Sequence, residues 1–259
     1  MSQRELIQRG KKHSSPVGTS IFVALRSLDP FIQYGILADG IGATLLGKVG
    51  LQALPDGPPF QTGIGFIDVL QLSPYRLLLF IMSTGSVLKH IFWVLYTSKE
   101  AFSVGTALNV GIGNTVFNTL VTIIATTSFA GSLQVSKTIA QPTVIIGSIL
   151  YFVGISVEVL SELQRKFFKD DPKNDGKAFT RGLWSLARHI NYTGYLSWRV
   201  GYSLAGGGVT AAFITGAFLL KEFLGRAIPE LDAYASKRYR EQWDNYKRRT
   251  PYKLIPGIL

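Results

Sequence analysis

From Ala101 to Ser136 the chain carries no charged side chain, and a second uncharged run extends from Thr138 to Val157. A hydrocarbon core roughly 30 Å thick needs about 20 apolar residues in a helix, so each run is long enough to span. A helix facing water keeps a polar side, and runs of this kind leave none. Composition agrees, with 47% hydrophobic and 17% charged residues among 259. These runs predict an all-α integral membrane bundle.

Extended along the chain, the same reading gives about six transmembrane helices. The first is expected from about Ser20 to Leu46. It is the weakest, with Arg26 and Asp29 near its start and Asp39 within it, so a partly interfacial placement is expected there. The proline-rich loop around residues 54–63 ends it. Further spans are expected over Pro74–Tyr96, within Phe102–Phe129 and within Pro142–Leu160. A polar linker through Arg181 follows. Two apolar stretches come next, Ser185–Leu204 and Val209–Leu224, separated by the triplet Gly206–Gly207–Gly208, which predicts a tight turn and a helical hairpin. Residues 1–154 then form an N-terminal set of helices expected to hold a substrate cavity, and residues 155–259 a C-terminal domain with a cofactor motif and a basic tail.

The chain has a formal net charge of +11. Its basic residues gather at Arg4–Lys12, Lys99, the linker Arg165–Arg181 and the tail from Lys221 onward. The segments expected on the opposite side, about 49–75 and 128–139, hold little more than Lys137 and the boundary residue Arg76. That asymmetry is the positive-inside pattern and predicts that both termini are cytosolic. No nucleic-acid-binding motif accompanies the charge, so no nucleic-acid partner is expected. There is no cysteine, which excludes disulfides, thiol nucleophiles and cysteine metal sites. His13, His90 and His189 are too dispersed to suggest a zinc site, so no metal is expected. Residues 1–13 are not followed by a short apolar region with a small-residue cleavage site, so no cleaved leader is expected and the first span is expected to anchor the chain.

The stretch Gly182–Gly201 places Arg188, His189, Asn191, Tyr192 and Arg199 at the mouth of an otherwise apolar hairpin. Ionisable groups at membrane depth are costly and mark a functional site by default. Arginine forks onto phosphate oxygens, and histidine, asparagine and tyrosine supply directional hydrogen bonds, which suits an anionic nucleotide. Snorkelling to lipid headgroups is the plainer account of the same residues. Elsewhere, Asn114 and Asn118 share a face and suit helix–helix hydrogen bonding or a cavity wall. Lys89 and His90 are expected to snorkel. Glu158 and Glu162 are read as the acidic end of a helix near Arg165 and Lys166.

The segment from Gly182 resembles the consensus of steroid 5-alpha-reductase-like membrane proteins around Gly-Leu-Trp and Arg-His-Pro-Asn-Tyr-x-Gly-Glu. The resemblance continues upstream through Ser161–Gln164 and Phe167–Lys169. Downstream it runs through Ile228–Asp232 and the tail from Tyr239, covering about 155–259. It implies packed transmembrane helices and NADPH-dependent reduction of a carbon–carbon double bond in a sterol, enone or other lipid, in the endoplasmic reticulum. Membrane lipids and a lipid or sterol-like substrate are the implied partners. Carried over by position, Arg188, His189, Asn191 and Tyr192 line the cofactor site. Gln164, Lys169, Asp232, Tyr239, Tyr246 and Arg249 close over it, with the aromatic tail folded back as a cap. The resemblance assigns no catalytic acid.

Four positions depart from the family pattern, and at two of them, Glu162 for an aspartate and Asp232 for a glutamate, the charge is kept. Ile190 stands for the proline, and Tyr195 for the acidic residue that normally helps position the nicotinamide end. Isoprenylcysteine carboxyl methyltransferases share the architecture, the Arg-His-x-x-Tyr-x-Gly motif and a similar aromatic, basic tail. They imply an alternative function, methyl transfer from S-adenosylmethionine. A non-catalytic protein that keeps the fold is the third reading.

Overall fold

The computed structural model of the chain describes residues 15–98, 100–127 and 140–259. The expectations placed on Arg4–Lys12, His13, Lys99 and the 128–139 segment lie outside the described residues. Regular structure within them is helical, apart from one bridging pair, Ala53 with Thr127. The chain gathers into two compact units, residues 1–145 with 204–209, and residues 146–203 with 210–259.

In the first unit, α1 (Pro16–Leu37) and the short α2 (Ile41–Gly47) meet at a bend of 68°. A one-turn helix, α3 (Gly65–Asp68), precedes α4 (Pro74–Phe92), which continues in a π-helical turn to Thr97. Proline opens α1 and α4, where its missing N–H costs nothing. The Ser103 hydroxyl accepts from Thr106 N at 3.1 Å to cap α5 (Val104–Ala125).

Arg26, Asp29 and Gln33 recur at helical spacing on α1 and are all fully buried. Arg26 and Asp29, expected near an interface, are turned with Gln33 towards α4 and α5. Arg26 Nη1 lies 3.2 Å from Asp29 Oδ2 and donates to Thr115 Oγ1 at 2.9 Å. Asn118 Nδ2 donates to the same carboxylate at 2.6 Å and to Ser86 Oγ at 3.2 Å. Asn118 therefore does join helices, while the Asn114 amide turns back to Val110 O at 2.6 Å. Lys89 and His90 are buried as well, so they point into protein rather than snorkelling.

The second unit holds most of α6 (Pro142–Asp170) and of α7 (Ile190–Glu222). A Cβ on Gly194 would come within 2.5 Å of Glu158 N, and one on Gly201 within 2.5 Å of Tyr151 N. Seven residues apart, these glycines let the backbones of α6 and α7 approach side by side, the packing that membrane helices favour. Trp198 sits between them, fully buried, and donates to Glu158 Oε2 at 2.6 Å. At Gly208 the backbone takes φ 68° and ψ −166°, interrupting the helix. The chain doubles back there: the hydroxyls of Ser203 and Thr215 lie 2.9 Å apart, and the rings of Tyr192 and Phe223 stack at 4.7 Å. The expected hairpin is thus present. After a π-helical turn come α8 (Ile228–Tyr239) and α9 (Glu241–Arg249).

Large apolar side chains lie exposed along these helices, Phe152 and Val153 on α6 and Phe213 and Phe218 on α7 among them. Such surfaces suit hydrocarbon as solvent. Among the described residues four helices are long and apolar enough to cross a bilayer, and five if α1 and α2 form one bent span. The chain is an all-helical, multi-pass integral membrane protein.

Candidate cofactor site

The N-terminal end of α7 and the tail are bound together through the main chain. Arg188 N donates to Tyr252 O and His189 N to Lys253 O, both at 2.9 Å. The Arg188 guanidinium, 4% exposed, donates from Nη1 to Thr250 O at 2.7 Å and Pro251 O at 2.9 Å. Thr193 Oγ1 donates to Leu254 O, and Leu254 is fully buried against Leu196, Leu219 and Phe223. The tail does fold back onto this hairpin end, and backbone carbonyls hold it there as well as rings.

Around that clamp several buried polar atoms find no hydrogen-bond partner among the described residues: Arg188 Nε, His189 Nε2, Asn191 Oδ1, Asp232 Oδ1 and Trp243 Nε1. Native interiors leave few such atoms, and each calls for a ligand, water or strain to explain it. His189 Nε2 and Asp232 Oδ1 face each other at 3.7 Å, beyond hydrogen-bond range. Burial holds the His189 imidazole below its ordinary pKa, so it is neutral, with the Asp232 carboxylate opposing the shift. Asn191 is oriented from behind: its Nδ2 donates to Glu162 Oε1 at 2.7 Å, and Glu162 is itself paired with Arg165. The amide nitrogen is thereby committed, and Oδ1 is the atom left over. The unpaired atoms thus include two donors and two acceptors besides the imidazole, groups of the kind that bind a ligand with both anionic and donor groups.

The other residues singled out by sequence have different employments. Tyr192 stacks between the His189 ring, at 5.8 Å, and Phe223. Gln164 Oε1 accepts from Leu183 N at 3.0 Å, which fixes the turn leading into Trp184. Lys169 donates to Tyr239 OH at 3.0 Å and lies over its ring at 4.7 Å, pinning α8 to the end of α6. The Tyr246 hydroxyl donates to Trp184 O, and burial raises its pKa, so its proton is committed. Arg249 is exposed rather than part of the buried cluster. Ile190 packs with Trp184 and Ala187, and the Tyr195 hydroxyl accepts from Arg199 Nε at 3.2 Å.

Trp243 was expected only as one ring of the aromatic cap, not for its N–H, and the carbonyls of Thr250 and Pro251 were not anticipated. An indole N–H with no evident mate is invisible in sequence, and a backbone carbonyl leaves no signature at all. Among the described residues no cluster of three or more potential ligands stands ready for a metal ion.

Residues 109–250 match the family described as "Protein of unknown function (DUF1295)". Among curated proteins, a "Probable O-methyltransferase ustE" of Ustilaginoidea virens is 39% identical over 92% of this chain and 85% of its own length. A Delta(14)-sterol reductase of Arabidopsis thaliana is 26% identical over 45% of this chain, and a 7-dehydrocholesterol reductase of Danio rerio 31% over 35%. This chain covers only 34% and 19% of those two reductases. The chain therefore belongs to the DUF1295 family of multi-pass membrane proteins, distantly homologous to sterol reductases.

Proposed function

We propose that this protein is a membrane methyltransferase that binds S-adenosylmethionine in the Arg188–Asp232 cluster and methylates an oxygen of a lipid-soluble acceptor. The observation that carries this reading is the likeness to the probable O-methyltransferase, which runs through nearly the whole of both chains. The sterol reductases match a minority of either chain. Tyr195, where reductase-like sequences carry an acidic residue, points the same way.

The unpaired atoms suit this cofactor. Its amino-acid end carries an ammonium and a carboxylate, and the cluster offers acceptors at Asn191 Oδ1 and Asp232 Oδ1 beside donors at Arg188 Nε and Trp243 Nε1. When bound, S-adenosylmethionine supplies an activated methyl group on a sulfonium. The residues contribute position and exclusion of water, since such a transfer needs alignment more than acid catalysis. Reduction of a double bond needs a proton donor as well, and the Tyr246 hydroxyl is already spent on Trp184 O. NADPH-dependent reduction is the second reading, favoured by the match to sterol reductases through the C-terminal part.

The acceptor is assigned to the N-terminal helices and the cofactor to residues 155–259. Counting the two arms of α7 as separate crossings gives six spans, with both termini on the cytosolic face of the endoplasmic reticulum by the positive-inside pattern. Single cysteines placed in this cysteine-free chain, for example at Lys237, report that topology through labelling in sealed microsomes.

Parallel titration of purified protein with S-adenosylmethionine, NADPH and NADH tests the function. Binding of S-adenosylmethionine, lost in Asp232→Asn and in Arg188→Ala, is the expected result. Selective binding of NADPH overturns the methyltransferase reading and restores the reductase. Binding of neither, by folded protein, rejects both.

A further inference from the structure

The network on α1 contains an acceptor that its neighbours cannot satisfy. Gln33 is fully buried, and its Nε2 donates to Asp29 Oδ1 at 2.9 Å and to Thr119 Oγ1 at 3.1 Å. A flipped amide would set its carbonyl against the Asp29 carboxylate, so the orientation is forced by charge. Asp29 is in turn fixed by Arg26 and Asn118. Gln33 Oε1 is left over, buried, and no donor meets it among the described residues. The carboxylate and guanidinium neutralise each other, and Gln33 Oε1 is an uncharged, directional acceptor of this network. Polar groups at such depth are retained for a purpose, and an unmet acceptor selects a donor.

We propose that Gln33 Oε1 is the recognition point for the hydroxyl of a bilayer-borne lipid alcohol, held in the N-terminal unit by Asp29, Thr119 and the residues that lock them. The site discriminates by hydrogen-bond donation: an alcohol completes the network, and its methyl ether leaves the carbonyl unsatisfied. This inference is independent of which nucleotide the C-terminal cluster binds, and neither the reductase nor the methyltransferase reading is needed for it.

The test uses the full chain in nanodiscs and a diazirine analogue of 1-hexadecanol. Photolabelling is expected on the peptides carrying Gln33 and Thr119. Unlabelled 1-hexadecanol is expected to compete at concentrations about tenfold lower than methyl hexadecyl ether, the scale of one buried hydrogen bond. Cholesterol and its methyl ether, run alongside, separate a sterol from a fatty alcohol as the source of the hydroxyl. Gln33→Met should erase the preference for alcohol over ether while the melting temperature and gel-filtration profile hold. Thr119→Val, which removes the second of the two acceptors that hold the amide, should narrow that preference and serves if Gln33→Met does not fold. Equal competition by alcohol and ether in the wild-type protein, for both lipid types, overturns the proposal and leaves a buried water as the partner of Gln33. So does labelling no stronger at these peptides than on other lipid-facing helices.

Discussion

Replacing Arg188 with alanine isolates the clamp between hairpin and tail. The side chain makes two charge-assisted hydrogen bonds, to Thr250 O and Pro251 O, and is almost wholly buried. Bonds to a charged donor contribute about 1.5–3 kcal/mol each, and the pair shares one guanidinium, so their loss costs about 3 kcal/mol rather than the full sum. That is roughly a hundredfold change in the equilibrium for local opening of the tail. Hydrogen exchange resolved by peptide is the assay. Amides of residues 250–259 should exchange about a hundredfold faster in Arg188→Ala, while those of α5 keep their wild-type rates. Arg188→Lys, which keeps the charge but not the reach and planar geometry of the guanidinium, should fall between. Unchanged tail exchange in Arg188→Ala would refute the clamp and leave the attachment to Leu254 packing, the Thr193 hydroxyl and the main-chain bonds.

Other perturbations separate the remaining parts. Burial lowers the His189 pKa, so the stabilisation from keeping it neutral is complete above about pH 6.5 and is lost as pH falls through the depressed folded value. Melting curves from pH 8 to 4.5 should show an acid-side decline that is shallower in His189→Gln; identical pH profiles would dismiss it. Ending the chain at Arg249 removes both acceptors of the Arg188 side chain, and should abolish binding of S-adenosylmethionine without preventing membrane insertion. Normal affinity in that truncation would deny the tail any part in the site. Gly194→Leu forces a side chain into the α6 backbone and should cost more than 2 kcal/mol in detergent stability, as an overpacked core does, whereas Gly225→Leu, with open space around its Cβ position, should melt like wild type.

Hydrophobic run length marked α4 and α5 within a few residues and the start of α6, because the bilayer sets one length scale for all of them, but α6 runs on to Asp170 past the expected end at Leu160. The Gly206–Gly208 triplet marked the reversal in α7 for a local reason: the positive φ at Gly208 is one that a side chain resists. Long-range pairing was less legible. Arg26 and Asp29 look like interfacial charges until Asn118, remote in sequence, is seen to complete them. In the candidate site, the motif located Arg188, His189, Asn191 and Asp232. It did not show that Tyr246 and Gln164 support backbone groups, nor that Arg249 stays exposed. Side-chain type names the chemistry available at a position, whereas its partner is decided by the fold.

Helix α6 has 29 residues, about 43 Å at 1.5 Å each, and the hydrocarbon core accounts for about 30 Å. The remainder stands beyond the core as a rigid post, and Glu162, Gln164 and Lys169 are mounted on it. Its length sets their height above the membrane, and its screw sets their bearing. One residue inserted in the apolar part, between Ile149 and Phe152, would raise those three side chains by about 1.5 Å and turn them by about 100°. Glu162 would swing away from Asn191, and Lys169 from Tyr239, with every residue of the site still present. A helix used as a yardstick tolerates substitution along its lipid face far better than a change in its count.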